Sequence, residues 1–301
     1  MDFKIWLQAF RLRTLPLAIS CIAMGGFLAV AAQAFQWDIF LLCILTTIFL
    51  QVLSNLANDY GDSIHGADSA IRQGPRRAVQ SGKISSAQMK TAVIIFVALC
   101  LISGTSLLIV SFGINWQAIL FFFCLGLLSI VAAIAYTMGR KPYGYAGLGD
   151  LSVLIFFGLV GVLGSYYLFT QQVSWHQLLP ALSCGFFSIG VLNVNNIRDI
   201  ESDRKAGKFS IPVRIGRDKA ITYHWFLIFA GIFPAIVYSI FTATSWWGWL
   251  FLLSIPLFVK NGLAVSKKPS EQLDPYLKQM ALSTLIFVIL FGLGLILSIE
   301  I

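Results

Sequence analysis

Charged residues are scarce in this sequence. Asp, Glu, Lys and Arg together make up 11% of the 301 residues, whereas hydrophobic residues make up 58%. A soluble domain carries about 25% charged residues, so this chain has too little polar surface to cover a globule in water. The scarcity excludes a soluble protein and indicates an integral membrane protein.

Side chains that bind soft metals are also few. The chain has three histidines and five cysteines, and every cysteine lies inside an apolar run. The cysteines do not have the spacing of a metal site, so we interpret them as small buried hydrophobic residues. Any metal site is therefore expected to use oxygen ligands.

Long apolar runs, in contrast, are abundant. Nine stretches reach the roughly 18 residues that suffice to cross a bilayer, and each is continuously apolar, which favours helices over a β-barrel. The predicted spans lie near 14–34, 38–57, 91–113, 116–136, 150–170, 178–197, 221–244, 246–265 and 279–299. The sequence therefore predicts an all-α polytopic membrane protein, with residues 1–301 forming a single domain of nine transmembrane helices.

The positions of Lys and Arg predict the orientation of these spans. All 21 basic residues lie before the first span or in and beside the connections that follow the second, fourth, sixth and eighth spans. Because cytoplasmic connections carry an excess of Lys and Arg, we expect the N-terminus in the cytoplasm and the protein in the cell inner (cytoplasmic) membrane. The asymmetry explains the net charge of +8 without nucleic acid, since the basic face meets anionic lipid.

Two cytoplasmic connections, 58–90 and 198–220, begin with Asn and Asp residues. The first series is Asn55, Asn58, Asp59 and Asp62, with Asp68 farther on, and the second series is Asn193, Asn195, Asn196, Asp199 and Asp203. Spacings of three and four residues predict that each series occupies one face of a helix at the inner edge of the membrane. The two series lie four spans apart, which suggests two half-sites that face each other.

The composition of the two series predicts a hard cation. A carboxylate at membrane depth costs about 2.5–3.5 kcal/mol, so a cation is expected to offset this cost. Carboxylate and carboxamide oxygens suit Mg²⁺, which commonly binds one or two carboxylates together with substrate phosphates. Basic residues near the series, suited to the outer oxygens of a diphosphate, are Arg72, Arg76, Arg77, Lys141, Arg204 and Lys208. A solvated loop face is the alternative interpretation of either series alone.

Five segments occur in a distinctive order. They are RLRTLPLA (11–18), NLANDYGD (55–62), GPRRAVQSG (74–82), RKPYGYAGLGD (140–150) and NNIRDIESDRKAGK (195–208). Together they resemble the UbiA superfamily of intramembrane aromatic prenyltransferases, and within it the bacterial branch that acts on 1,4-dihydroxy-2-naphthoate. The resemblance implies nine transmembrane helices around a central cavity, capped by the loops 58–90 and 198–220 and open to the cytoplasm. It also implies Mg²⁺, with two ions in the site.

The resemblance implies roles for particular residues. The implied metal ligands are Asn58, Asp59, Asp62, Asp68, Asn195, Asn196, Asp199 and Asp203. Many family members have a third acid four residues after Asp62, where this chain has Gly66, so the third acid of the first motif is either Asp68 or Asp59. The implied catalytic residues are Asp62, Asp199, Lys141 and Tyr136.

Some of these residues have a second interpretation. Tyr136 either stabilises an allylic cation with its ring face or anchors a helix end at the interface. Arg11 and Arg13 either bind the carboxylate of an aromatic acceptor or serve as orientation signals. Asp150 either assists the acceptor or pairs with a loop cation.

The implied reaction is the transfer of a polyprenyl group from polyprenyl diphosphate to 1,4-dihydroxy-2-naphthoate with decarboxylation, giving demethylmenaquinone. Acceptors such as 4-hydroxybenzoate, homogentisate or a haem precursor are alternatives within the same class. A secondary transporter for an anionic solute is an alternative from another class. Transporters place ionisable groups near the membrane midplane, whereas the acids of this chain lie at inner helix ends, which favours the enzyme.

Overall fold

The computed structural model describes residues 3–65, 77–243 and 245–299. Within these residues every regular element is a helix, and nine helical segments are long and apolar enough to cross a membrane. The segments are Phe3–Ala31, Trp37–Ile64, Ser86–Phe112, Trp116–Ala135, Gly149–Thr170, Trp175–Arg198, Arg217–Thr242, Trp246–Lys267 and Asp274–Ile299. Each segment overlaps one predicted span, so the predicted all-α membrane architecture is confirmed.

The α-helices are numbered in chain order. They are α1 (Phe3–Phe10), α2 (Leu15–Ala31), α3 (Trp37–Ile64), α4 (Ser86–Phe112), α5 (Trp116–Ala135), α6 (Gly149–Val153), α7 (Ser165–Thr170), α8 (Trp175–Arg198), α9 (Ile200–Lys205), α10 (Ile211–Ile215), α11 (Arg217–Thr242), α12 (Ile255–Lys267) and α13 (Asp274–Ile299). Three spans contain other helix types as well. A 3₁₀ turn, Leu12–Thr14, joins α1 to α2, a π-helical stretch, Leu154–Gly164, joins α6 to α7, and a 3₁₀ segment, Trp246–Ser254, precedes α12.

The C-terminal end of α3, which is the inner end in the orientation that the basic residues predict, extends well beyond its apolar run. The helix ends at Ile64, whereas the hydropathy of the sequence predicts an end at residue 57. The extra turns carry Asn58, Asp59 and Asp62 on helical backbone. Hydropathy marks the part of a helix that lies in lipid, but helical hydrogen bonding continues into the polar turns as long as backbone groups find partners.

The first span is interrupted where it meets α3. Arg11 adopts a left-handed conformation (φ 50°, ψ 54°) between α1 and the 3₁₀ turn. The Asn55 side-chain amide donates to the Phe10 carbonyl oxygen at 2.9 Å and to Thr14 Oγ1 at 3.1 Å. Asn55 thus provides hydrogen-bond partners for polar groups at the interruption. These contacts hold the segment that contains Arg11 and Arg13 against α3.

The α8 helix lies at the centre of the packing. It contacts α11, α13, α2 and the π-helical stretch. Phe187 of α8 stacks on Phe258 of α12 with ring centroids 4.1 Å apart, and it meets Phe287 of α13 edge-on at 4.9 Å. All three rings are fully buried. This apolar core fixes the position of α8, whose inner end carries the second series.

Candidate active site

A cavity of about 430 Å³ lies between the inner ends of several spans and continues toward their middles. Its polar wall includes Arg11, Arg13, Asn55, Asn58, Asp62, Arg77, Tyr136, Thr137, Asn195 and Lys208. Its apolar wall includes Leu17, Cys43, Leu107, Phe122, Phe123, Phe156 and Phe157. Residues from both series therefore line the same cavity, with one polar end and a long apolar extension.

Asp62 is the most heavily engaged acid of the first series. It is 2% exposed and forms an ion pair with the Arg77 guanidinium. The Tyr145 hydroxyl donates to Asp62 Oδ1 at 2.7 Å, and Arg77 also donates to the Asn58 carbonyl oxygen at 2.7 Å. A buried carboxylate needs such charged and hydrogen-bonding partners, and here they come from two different loops.

Asp59 points away from the cavity. Its Oδ2 accepts a hydrogen bond from the Ala78 backbone amide at 3.1 Å, and the residue is 1% exposed without lining the cavity. Successive helical residues are about 100° apart around the axis, which separates Asp59 from Asn58. The prediction that all four residues share one face is therefore wrong for Asp59, which instead holds the loop that supplies Arg77.

The second series does not lie on one continuous helix. Helix α8 ends at Arg198, Asp199 is its C-cap (φ −99°, ψ 11°), and α9 starts at Ile200. Backbone hydrogen bonds of helical spacing nevertheless cross this point, from the Asp199 amide to the Asn195 carbonyl oxygen at 3.1 Å and from the Asp203 amide to the Asp199 carbonyl oxygen at 2.8 Å. The predicted helical spacing is therefore kept although the helix is interrupted. Asn195 lines the cavity, whereas Asp199 and Asp203 are buried just behind its wall.

Arg198 forms hydrogen bonds with two residues of the second series. Its Nε and Nη2 donate to the two oxygens of Asp199 at 2.9 and 2.7 Å, and Nη2 also donates to Asn195 Oδ1 at 2.9 Å. Such a fork fixes the plane of the carboxylate as well as its position. One arginine thus orients Asp199 and Asn195, two of the predicted metal ligands.

The remaining amides of the second series are also buried. The Asn193 side chain donates to the Ala220 carbonyl oxygen at 3.1 Å, which ties α8 to α11. Asn196 is 2% exposed, and its side-chain oxygen is buried without a hydrogen-bond donor. The Asn193 side-chain oxygen is likewise buried without a hydrogen-bond donor, so Asn193 differs from Asn196 in its amide contact to α11 and not in its oxygen.

Lys208 pairs with Asp203 at the cavity wall. The Lys208 Nζ lies 3.4 Å from Asp203 Oδ2, and both residues are buried. Burial raises the pKa of Asp203, although Lys208 acts in the opposite direction. Burial alone would lower the pKa of Lys208, but the carboxylates of Asp203 and Asp62 outweigh burial and raise it. Lys208 therefore stays positively charged at neutral pH.

The Tyr136 ring lies on the cavity wall. It packs edge-on against Tyr143 with centroids 5.3 Å apart, and Gly144 permits this close approach, because a Cβ there would lie 2.9 Å from the Tyr136 ring. Burial raises the pKa of Tyr136 to about 12. The ring therefore presents a neutral aromatic face to the cavity.

The six basic residues predicted near the series occupy different places. Arg77 and Lys208 line the cavity. Lys141 is exposed, and Arg204 is exposed and lies 3.6 Å from Glu201 of its own helix. Neither of these two lines the cavity. Arg72 and Arg76, like Asp68, lie outside the described residues.

The predicted acceptor-binding residues also separate. Arg11 and Arg13 both line the cavity. Asp150 is buried off the cavity wall and accepts a hydrogen bond from the Tyr223 hydroxyl at 2.8 Å. The loop cation considered as its partner is therefore replaced by a tyrosine from α11.

Sequence reasoning missed four residues that hold the site together. Tyr145 and Arg198 lie inside two of the five segments, and Thr137 Oγ1 donates to Asn58 Oδ1 at 3.1 Å. Asp274 is 76 positions from Arg198, from which it accepts a hydrogen bond at 2.5 Å. The first three could be suspected from their place in or beside the segments, but nothing near Asp274 in the sequence indicates its partner.

The donor set fits a hard divalent cation. Asn196 Oδ1 is buried without a hydrogen-bond donor, and Asp203 Oδ2 is buried beside Lys208 without a short hydrogen bond. Carboxylate and amide oxygens are the ligands that Mg²⁺ prefers. In the described parts of the chain, no group of three or more His, Cys, Asp or Glu side chains forms a ready cluster. Asn side chains, water and substrate oxygens would therefore complete the coordination.

Two bacterial proteins are similar to this chain over nearly its whole length. The chain is 46% identical over 299 residues to a 1,4-dihydroxy-2-naphthoate octaprenyltransferase of Haemophilus influenzae, covering 98% of this chain and 96% of that protein. It is 43% identical over 296 residues to the Escherichia coli protein of the same description, with 98% and 96% coverage.

A solved structure shares the fold, and a family model matches most of the chain. A UbiA homologue from Archaeoglobus fulgidus bound to GPP and Mg²⁺ has the same fold, with a TM-score of 0.68 at 17% identity over 97% of this chain and 99% of that chain. The model of the UbiA prenyltransferase family matches residues 18–285. The chain belongs to the UbiA prenyltransferase family.

Proposed function

We propose that this protein transfers a polyprenyl group from polyprenyl diphosphate to 1,4-dihydroxy-2-naphthoate, with loss of CO₂, and so makes demethylmenaquinol, the reduced form of demethylmenaquinone, for menaquinone biosynthesis. The observation that carries the proposal is one cavity that joins acids and cations at its inner end to a long apolar extension. The names of the relatives from Haemophilus influenzae and Escherichia coli support the naphthoate acceptor.

The acids and amides of the two series hold Mg²⁺ in this proposal, with two ions in the site. The proposed ligands are Asn58, Asp62, Asn195, Asn196, Asp199 and Asp203, with Asp68 as a further acid. Mg²⁺ in such a site supplies positive charge that stabilises a departing diphosphate. The structurally similar UbiA homologue from Archaeoglobus fulgidus, which binds GPP and Mg²⁺, supports this use of the metal.

Two cations of the protein itself act on the diphosphate. Arg77 and Lys208 lie on the cavity wall at the level of Asp62 and the second series, and both can donate to phosphate oxygens. They stabilise the negative charge that collects on the diphosphate when the allylic C–O bond breaks. Lys141 and Arg204, which are exposed and do not line the cavity, attract the anion from a distance.

The electron-poor prenyl carbon faces Tyr136. The bond pair of the C–O bond leaves with the diphosphate, and the neutral ring face of Tyr136 stabilises the resulting allylic cation. The electron-rich acceptor carbon then attacks to form the new C–C bond, and its carboxylate leaves as CO₂. In this proposal Arg11 and Arg13, which line the same cavity, bind the carboxylate before it leaves.

The apolar extension suits the prenyl tail. Cavity residues occur along α3 from Cys43 to Asp62, a distance of about 28 Å at the helical rise of about 1.5 Å per residue. Leu107, Phe122 and Phe156 border this extension. In this proposal the active site faces the cytoplasm from the inner membrane, which is supported by the excess of Lys and Arg in the connections at the polar end.

A competition assay tests the proposal. Purified protein receives a polyprenyl diphosphate, Mg²⁺ and equal amounts of 1,4-dihydroxy-2-naphthoate, 4-hydroxybenzoate and homogentisate, and products are identified by mass together with released CO₂. We expect prenylated, decarboxylated naphthoate as the main product. Prenylated hydroxybenzoate or homogentisate as the main product would overturn the acceptor, and the absence of any prenylated product would overturn the enzyme class in favour of anion transport.

A further inference from the structure

Charged side chains connect the N-terminal segment to the second series through Asp274. Arg13 Nη1 donates to Asp274 Oδ2 at 2.8 Å, and Arg198 Nη1 donates to Asp274 Oδ1 at 2.5 Å. Arg198 in turn holds Asp199 with two hydrogen bonds. The carboxylate of Asp274 therefore bridges two guanidinium groups, one on the cavity wall and one behind the second series.

This arrangement differs from a surface ion pair. The Arg198 side chain is 1% exposed and that of Asp199 is 4% exposed, whereas Asp274 and Arg13 are each 31% exposed. An arginine this deeply buried is tolerated only when its charge and donors are matched, and Arg198 finds acceptors in Asp199, Asn195 and Asp274. Asp274 supplies the second negative charge of this set.

The presence of Asp274 affects how much of the negative charge of Asp199 is neutralised by Arg198. With Asp274 present, Arg198 divides its positive charge between two carboxylates, so Asp199 keeps part of its negative charge for another cation. Without that second carboxylate, Arg198 would neutralise Asp199 alone. The same loss would free the guanidinium to move, because Asp274 fixes the end of Arg198 that faces away from Asp199.

We propose that Asp274 is a positioning residue for the second half of the active site, acting through Arg198 on Asp199 and Asn195. The inference rests on the proposed function, in which those two residues hold a divalent cation. Asp274 lies in the first turn of α13, and α13 packs on both α2 and α8. The ninth span therefore takes part in the site through a charge at its start.

The test compares Asp274→Asn with wild-type protein and with the matched control Asp218→Asn. Asp218 also lies in the first turn of a helix, α11, and is not buried, so it controls for the loss of a helix N-terminal charge. Binding of Mn²⁺ is measured by electron paramagnetic resonance with a polyprenyl thiolodiphosphate present. Prenyl transfer is measured separately over a range of Mg²⁺ concentrations.

We expect Asp274→Asn to weaken Mn²⁺ binding by about tenfold or more, as is typical when a residue that orients a metal ligand is lost. The Mg²⁺ concentration for half-maximal rate should rise by a similar factor, with much of the rate regained at high Mg²⁺. Asp218→Asn should match wild type in both measurements. A purely structural role would lower the thermal stability but leave the Mn²⁺ affinity of the folded protein unchanged, and that result would overturn the inference.

A second variant covers the case in which Asp274→Asn does not fold. Asp274→Glu keeps the charge but moves the carboxylate by one methylene, so it should fold and lose part of the Mn²⁺ affinity, and wild-type affinity in this variant would overturn the inference. The proposed function fails differently. Wild-type protein that neither binds Mn²⁺ nor transfers a prenyl group overturns both proposals, whereas an active wild type with an equally active, equally tight-binding Asp274→Asn overturns only the role of Asp274.

Discussion

The inner ends of α3 and α8 carry similar residues but hold them in different ways. At α3 the helix is continuous, and Asp62 receives its partners from two separate loops, Arg77 from one and Tyr145 from the other. At α8 the helix breaks at Asp199, which is held by Arg198, its neighbour in the chain. The first half-site therefore depends on loop closure, and the second depends on a local fork.

The two half-sites also differ in what stabilises their cations. Arg77 lies in a loop that is anchored by the hydrogen bond from the Ala78 amide to Asp59 and by its own hydrogen bond to the Asn58 carbonyl oxygen. Arg198 needs no loop, but its far end is held by Asp274 from the ninth span. Similar polar sequences thus form two different half-sites. The one at α3 is held together by the loops between helices, and the one at α8 is held together by the packing of helices.

Among the variants that test this comparison, Asp62→Asn is expected to have the largest effect. It should lower kcat/KM for prenyl transfer by about 10³-fold, comparable to the loss of one major electrostatic contact in an active site, because Asp62 lies on the cavity wall between Arg77 and Tyr145. The matched variant Asp59→Asn, three positions earlier but off the cavity wall, should cost less than about tenfold. Equal losses in steady-state assays of the two purified variants would contradict the separation of these residues.

The next test compares two lysines. Lys208→Met should raise KM for polyprenyl diphosphate by about 30-fold or more, since it removes a buried charge from a pair. Lys141→Met should change KM by no more than about threefold, because an exposed charge is screened by solvent. Initial rates over a range of diphosphate concentrations measure both, with thermal unfolding as a check of Lys208→Met. A larger effect of Lys141→Met would place the anion contact outside the cavity.

A smaller effect is expected from the loop contact to Asp62. Tyr145→Phe removes one hydroxyl donor to a carboxylate and should lower the transfer rate by about tenfold, in line with a hydrogen bond to a charged group. Tyr143→Phe is the matched control, since its hydroxyl contacts Ser152 and the Ala132 carbonyl oxygen instead. The first half-site would not depend on loop closure if the two variants had the same rate.

The smallest effect concerns the Tyr136 hydroxyl. Because burial raises the pKa of Tyr136 to about 12, the phenol stays protonated between pH 7 and 10, and Tyr136→Phe should have the same pH–rate profile as wild type over roughly that range. The stability linked to this raised pKa is complete below pH about 10 and is lost as pH rises toward about 12. An alkaline fall in rate that disappears in Tyr136→Phe would show that the phenol ionises earlier than the structure implies.

Local sequence patterns predicted the fold and the residue types at the candidate site more reliably than the contacts between them. The nine spans and the oxygen-rich ends of α3 and α8 could be predicted because hydropathy and residue type are properties of short segments. The exposure of Lys141 and the burial of Lys208 could not be predicted, since each is a single lysine among polar residues. The end of α8 before Asp199 could not be predicted either, because the residues around it have the spacing of a continuous helix. In the structure, the hydrogen bonds from Arg198 to Asp199 lie at the point where α8 ends.

By itself, the sequence determined the number of spans, because bilayer thickness imposes one length on every lipid-crossing helix, and it determined the kind of ligand atoms available at their inner ends. Tertiary structure alone decided which acid faces the cavity and which cation each acid binds. Those choices depend on the rotation of α3, the closure of two loops and the packing of α13 on α2 and α8. They join residues as far apart as Arg13 and Asp274, which no local pattern relates.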